Sequence, residues 1–226
     1  MQKVRSANYS WMAGGIHDHA VVADAAPDLG LALFQLALRE IDTRIINRPG
    51  DLIATLAFLT GRIVQRTAFR DAPNGFMIDQ SANGVLFLRH DWVTAKLGAL
   101  RSGSLASGLV DAAVLAGARS FPNFSAVRQD AFEAMQRHGS YDLRGNALSA
   151  PPEELAGEIQ CDVDGLLLDA DDRTLLVKAS NIACAHAISY SRHRLAPVAA
   201  AELALSVAYH AGWIDQRKSG RSQLRS

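Results

Sequence analysis

The sequence predicts an α+β fold in which helices dominate. Apolar residues make up 49% of the 226-residue chain, and they recur along most of it at helical spacing. Two further segments each consist of two short apolar runs on either side of turn residues, a pattern typical of β-hairpins. A chain of this length buries roughly 70% of the surface of its unfolded form, so it needs no disulfide or metal to fold. We therefore expect one globular domain or two small lobes.

The first two elements are predicted to be helices joined by a short break. From Asp28 onward, apolar side chains recur every three or four residues until Asn-Arg-Pro-Gly at 47–50 interrupts the pattern. Asp51 is a predicted N-cap for the second helix, whose apolar stripe runs from Leu52 to Ile63. A break this short predicts an antiparallel helical hairpin.

Two short β-hairpins are predicted, at 76–88 and at 166–177. In the first, Phe-Met-Ile and Val-Leu-Phe-Leu flank a loop that ends in Asn83-Gly84, a strong hairpin signal. In the second, two runs of Leu and Val flank Asp-Ala-Asp-Asp-Arg. The remaining periodic segments predict helices at 91–100, 104–118 with Ser104 as cap, 125–137, from Pro151 onward, 181–192 and 198–213.

The two predicted hairpins resemble each other in sequence. Gly75 to Asp79 aligns with Gly165 to Asp169, and a helix follows each hairpin. This similarity predicts an internal duplication that gives two similar lobes, although any two such units could match by chance. The predicted boundaries are an N-terminal lobe at 1–140, a C-terminal lobe at 150–215 and a flexible basic tail at 216–226; a single domain is the alternative.

Charge and composition narrow the functional classes. The chain carries 23 basic and 23 acidic residues, and zero net charge argues against nucleic-acid binding. Its abundant Ala, with 19 Arg against 4 Lys, is typical of GC-rich bacterial genomes.

The cysteines and the apolar stretches indicate the compartment. Cys161 and Cys184 are interpreted as buried thiols of a reducing compartment, with a disulfide between them left open as the alternative. The apolar stretches are too short for a signal peptide or a membrane span, so we expect a soluble, cytoplasmic protein.

Two histidines near the start of the chain form the first candidate site. If residues 16–22 are extended, His17 and His19 point to the same side, because side chains alternate along a strand. Two imidazoles on one face suit a divalent metal such as Zn, Fe or Mn. Surface histidines without a metal are the alternative.

A metal site needs further ligands and, for hydrolysis, a base. His90 and Asp91 are the predicted additional ligands, and Asp18 is a candidate base that would activate a metal-bound water. This arrangement predicts a metal-dependent hydrolase.

A second candidate site is a small-molecule pocket. His186, Tyr190 and His193 are spaced by four and three residues, which places them on one face of a helix. Trp11 and Trp92 could form the floor of such a pocket if the N-terminal segment folds over the first hairpin. Packing between helices is the alternative for both groups.

The sequence leaves two functions in competition. It has no phosphate-binding glycine-rich loop and no serine nucleophile elbow, which disfavours nucleotide and serine-hydrolase chemistry. Charged residues are 20% of the chain, against about 25% in typical proteins, which leaves more apolar surface for an interface. We expect a homodimeric binding module that takes a small ligand or a protein partner; the metal-dependent hydrolase is the alternative.

Overall fold

The computed structural model describes residues 19–42, 48–138, 148–167 and 172–214. Within these ranges the chain forms eight α-helices and one two-stranded antiparallel sheet, which confirms the helix-dominated α+β class. In chain order the elements are α1 (His19–Asp42), α2 (Pro49–Asp71), β1 (Phe76–Gln80), β2 (Leu86–His90), α3 (Asp91–Gly98), α4 (Leu105–Leu115), α5 (Phe124–His138), α6 (Pro152–Leu167), α7 (Arg173–Ser191) and α8 (Pro197–Trp213). A 3-10 turn, Pro73–Gly75, precedes β1.

The first helix begins earlier than its apolar stripe predicts. α1 is helical from His19, and Pro27 lies inside it. The prediction that 16–22 is extended is therefore wrong from residue 19 onward. Four of the residues at 19–26 are Ala, the strongest helix former, and this intrinsic preference explains the longer helix.

The second helix begins at a proline rather than at a carboxylate cap. Pro49 occupies the first turn of α2, where its missing N–H costs no hydrogen bond, and Arg48 provides no side-chain cap. The prediction that Asp51 is the N-cap is wrong. Asp51 lies within the first turn and is fully buried. Its carboxylate accepts hydrogen bonds from the amide (2.9 Å) and the hydroxyl (2.6 Å) of Ser149.

The first predicted hairpin is confirmed. β1 and β2 pair antiparallel with Phe76 opposite His90 and Gln80 opposite Leu86. Gly84 in the connecting loop has a φ of +78°, the left-handed region that favours glycine. Of the helices that follow, α3, α4, α5 and α8 agree with prediction to within three residues at each end, whereas α7 begins at Arg173 rather than at the predicted residue 181. Ser104 caps α4 by accepting a hydrogen bond from Ser107 N at 3.2 Å.

The second predicted hairpin is wrong, because the described residues of its first apolar run and all of its second run lie in helices. Leu166 belongs to the last turn of α6, and Leu175 to the first turns of α7. Asp172 caps α7 by accepting hydrogen bonds from Thr174 N (2.8 Å) and Leu175 N (3.3 Å). A short apolar run does not distinguish a strand from a buried helical segment, and here the aspartate cap favours the helix.

The two segments that align in sequence do not have the same secondary structure. Phe76 to Asp79 form a strand, whereas the aligned residues at 166 and 167 end a helix. The duplication and the lobe boundaries stay predictions. One apolar cluster nevertheless includes buried residues of both predicted lobes, among them Leu56 and Leu205. The predicted tail at 216–226 lies outside the described residues.

The centre of the fold is the contact between α2 and α8. A Cβ placed on Gly61 would lie 2.2 Å from the backbone O of Ala208, so the two helices approach as closely as glycine allows. Gln65 Nε2 donates to the carbonyls of Gly212 (2.8 Å) and Ile214 (2.9 Å), which fixes the end of α8 against α2. The other helices surround this pair: α6 and α7 pack on α2, α4 and α5 on α8, and α1 on α7. None of the described helices combines the length and the apolar character that a membrane span requires.

Candidate functional site

The predicted metal site is only partly within the described residues. His17 and Asp18 lie outside them, and His19 is the first residue of α1. Asp91 is exposed at the first position of α3. In the part of the chain that the structure describes, no three His, Cys, Asp or Glu side chains form a group that could hold a metal ion.

His90 has a structural role that the sequence did not reveal. It is buried at the end of β2 and caps α3, since its Nδ1 accepts a hydrogen bond from Trp92 N at 3.0 Å. Its Nε2 lies 2.9 Å from the carbonyl O of Ala72, just beyond the end of α2. The Phe76 ring packs edge-on against it at a centroid distance of 4.4 Å, and a Cβ on Gly75 would lie 2.3 Å from Nε2.

These two hydrogen bonds determine the state of the His90 ring. The Trp92 amide is a donor, so Nδ1 must carry a lone pair; the Ala72 carbonyl is an acceptor, so Nε2 must carry the proton. Both ring nitrogens are therefore engaged by backbone groups, and neither has a free lone pair for a metal. In this structure both His90 nitrogens serve the backbone, and the prediction that His90 is a metal ligand stays a prediction.

The predicted pocket residues are brought together only in part. His186 and Tyr190 on α7 both contact the Phe34 ring of α1, with centroid distances of 5.6 and 5.9 Å. This arrangement is that of two helices packing through aromatic edges. His193 lies beyond the end of α7, where its Nε2 accepts a hydrogen bond from Arg192 Nε at 3.0 Å.

The two predicted pocket tryptophans do not join this group within the described residues. Trp92 on α3 is half-buried, and the Lys96 ammonium lies 5.4 Å from the centre of its ring. Trp11 lies outside the described residues. The N-terminal segment folding over the first hairpin stays a prediction.

Cys184 is not placed for nucleophilic chemistry. Burial raises the pKa of the Cys184 thiol to about 12, and the hydrogen bond to Thr60 opposes this only in part. The Cys184 Sγ and Thr60 Oγ1 atoms lie 3.3 Å apart, and the Thr60 hydroxyl also donates to Leu56 O at 2.8 Å. A thiol with so high a pKa stays protonated and unreactive. Cys161 is exposed, which corrects the interpretation of both residues as buried, and both cysteines are free.

An open groove lies between α1 and α6. Its volume is about 530 Å³, within the range of small-ligand sites. Gln35, Arg39 and Asp162 supply its polar atoms, and Leu36 and Leu166 its apolar ones. Arg39 already forms an ion pair with Glu40, with Nε 2.9 Å from Oε1.

Two groups of exposed apolar side chains are the main surface features that sequence reasoning did not locate. The β1 surface consists of Met77, Ile78 and Val85, of which Ile78 is 61% exposed. The α4 surface consists of Val114, Leu115 and Phe121, with Leu115 81% and Phe121 76% exposed. Their exposure depends on which neighbours the fold places beside them, and the periodic pattern alone does not supply that information. Comparison with family models, curated proteins and solved structures found no match to this chain.

Proposed function

We propose that this protein is a homodimeric binding module, which acts through association rather than at a catalytic centre. The observation that supports the proposal is the exposure of large apolar side chains on the β1 surface and the α4 surface. Fully burying one such side chain is worth roughly 1.5–3 kcal/mol, so either surface would contribute to association once covered. Each of these large apolar side chains is at least 40% exposed, and an interface would remove that area from water.

The oligomeric state tests this proposal directly. Sedimentation velocity from about 1 to about 100 µM, a range that spans weak to moderate dimer affinities, should give a species of twice the 24.3 kDa chain mass. A single species at 24.3 kDa across the whole range would contradict the homodimer.

Paired variants test whether the exposed apolar residues carry the association. Ile78→Ser with Val85→Ser removes the β1 surface, and Leu115→Ser with Phe121→Ser removes the α4 surface. We expect one of the two pairs to raise the dimer dissociation constant at least about tenfold. Leu100→Ser is the matched control, since Leu100 is 71% exposed and belongs to neither surface. If neither pair differs from this control, exposed apolar residues do not drive association.

A metal analysis tests the competing hydrolase. Elemental analysis of untagged, chelator-free protein should find no stoichiometric Zn, Fe or Mn if the protein is a binding module. One metal ion per chain, lost in the His17→Ala and His19→Ala double variant, would favour the hydrolase and contradict the proposal.

A further inference from the structure

The outer edge of β1 has a regular pattern of backbone groups that face away from β2. The register places Ser81 opposite Val85 in the continuation of the ladder, and Ser81 N donates to Val85 O at 2.9 Å. Hydrogen-bonded and non-hydrogen-bonded pairs alternate along an antiparallel ladder. Met77 and Asp79 are therefore the β1 residues that exchange hydrogen bonds with β2.

The alternate residues of β1 point their backbone groups outward. Phe76, Ile78 and Gln80 carry N–H and C=O groups on the side opposite β2, and no other backbone group of the described residues bonds to them. The side chains along this edge are accessible: Ile78 is 61% exposed and Met77 40% exposed. Ile78 and Gln80 are exposed, Phe76 is half-buried with its ring stacked on Phe69 of α2, and the outward backbone groups of all three positions have no strand beside them in the described residues.

The edge also lacks the features by which proteins commonly block such pairing. β1 contains no Pro and no Lys, and its five residues pair with β2 without a bulge. Its one charged residue is Asp79, whose Oδ2 lies 3.4 Å from Arg89 Nε, so this charge is already compensated within the hairpin.

We propose that β1 of a second copy pairs antiparallel with this edge about a two-fold axis at Ile78, which joins the two hairpins into one four-stranded sheet. The inference rests on the proposed homodimer and names its interface. In this register Ile78 faces Ile78 of the second copy, and Phe76 faces Gln80 in both directions. Every outward N–H and C=O of β1 then has a partner, which gives six hydrogen bonds, two for each of the three pairs.

The charge pattern favours this register over its neighbours. With the axis at Ile78, Met77 faces Asp79 of the second copy, and no like charges are opposed. An axis at Asp79 would place two carboxylates opposite each other, which is destabilising. An axis at Met77 would leave Gln80 without a partner within β1. The α4 surface offers apolar side chains, but Val114 and Leu115 lie in a helix, whose backbone presents no unpaired row of groups as a strand edge does.

Amide hydrogen exchange is the experiment that tests the interface. In the dimer, the amides of Ile78 and Gln80 should exchange as slowly as those of Met77 and Asp79, and their protection should disappear on dilution to the monomer. If the protein is a dimer but the amides of Ile78 and Gln80 exchange fast, this interface is wrong while the proposed homodimer stands. If the protein is a monomer at every concentration, both are wrong.

A proline variant removes the central hydrogen bonds without touching the ladder inside the hairpin. Ile78→Pro deletes only an outward N–H, and proline is tolerated on edge strands in that orientation. We expect the dissociation constant to rise at least about 100-fold, while circular dichroism shows an intact fold. Ile78→Val is the control and should dimerise like the wild type. A folded Ile78→Pro protein with wild-type affinity would overturn the proposal.

A charge variant tests the register even where the proline variant fails to fold. Met77→Asp places a carboxylate opposite Asp79 of the second copy twice per dimer, yet within one chain it faces Arg89 and preserves the hairpin. At low salt, its dissociation constant should exceed that of the neutral Met77→Asn control by about tenfold, and salt should reduce the difference. Equal constants for the two variants would show that residue 77 does not face Asp79.

Discussion

The contact between α2 and α8 and the outer edge of β1 use their residues in opposite ways. At Gly61 the neighbouring helix is so close that no side chain fits, since a Cβ there would lie 2.2 Å from Ala208 O and 2.8 Å from Ala211 Cβ. At Ile78 a large apolar side chain remains 61% exposed. The difference shows that a small residue permits the close approach of α2 and α8, whereas several large apolar side chains stay at the periphery, where only association can bury them.

The largest effect is expected at the closed centre. Gly61→Val forces a branched side chain against the α8 backbone and should lower the free energy of unfolding by about 3 kcal/mol or more, measured by urea denaturation. Gly157→Ala is the matched control, because no atom lies within 4 Å of a Cβ at that position of α6. The control should raise the free energy of unfolding by about 0.5–1 kcal/mol. Similar values for both variants would show that the close approach is not a constraint.

A smaller loss is expected at the start of α2. Ser149→Ala removes the hydroxyl that donates to the buried Asp51 carboxylate, and should cost about 1–3 kcal/mol in the same denaturation experiment. Ser149→Thr keeps the hydroxyl and should lose much less. A wild-type midpoint for Ser149→Ala would mean that water replaces the hydroxyl without penalty.

The buried histidine of α8 should make stability depend on pH. Burial lowers the pKa of His210 below its usual 6.5, and the charge of Glu153 opposes this in part. Below pH 6.5 the unfolded chain binds a proton that the folded chain does not, so the free energy of unfolding falls as the pH drops. The fall ends once folded His210 is also protonated, and its slope from one proton is at most about 1.4 kcal/mol per pH unit.

Histidine variants isolate this contribution. His210→Gln should flatten the decline in the free energy of unfolding below pH 6.5, whereas the exposed His193→Gln should leave it unchanged. If both variants follow the wild-type curve, another group is responsible for the acid sensitivity.

The smallest effect on stability is expected at the periphery. Leu115→Ser should change the free energy of unfolding by less than about 0.5 kcal/mol, because the side chain is already in solvent. Leu109→Ala, on the buried face of the same helix, should cost about 2–5 kcal/mol. A cost for Leu115→Ser near that of Leu109→Ala would show that residue 115 is covered in solution.

Local sequence signals predicted most of the helices and the first hairpin. The Asn83-Gly84 turn and the Ser104 cap are determined by residues close in sequence, so a local pattern suffices to find them. The segment from Leu166 to Val177 wrongly predicts a hairpin, because neither of its two apolar runs is long enough to show helical periodicity. Asp172, which caps α7, is also a typical turn residue. The length of the apolar pattern favours helices here, since the apolar positions of α6 and of α7 extend over more residues than a typical strand contains.

The candidate site residues depended on contacts that no local pattern contains. Ser149 and Asp51 meet across 98 positions, and His90 reaches Ala72 across 18. Such pairs arise from helix packing, so a sequence shows the histidine or the carboxylate but not its partner. A buried His with two backbone partners and a metal-ligating His look alike until the neighbours are known.

The contacts of the His90 ring also show how the sheet is joined to the helices. The carbonyl of Ala72 and the amide of Trp92 both lie within 3.0 Å of this single imidazole, so the chain leaves α2 and begins α3 at nearly the same point. Within the described residues, the hairpin is therefore an insertion between two consecutive helices, since a short linker could span the two anchoring groups. The architecture thus gives the two strands different tasks: β2 packs against the helices, where Phe87 and Leu88 are buried, and the outer edge of β1 can acquire a partner without a change of helix order.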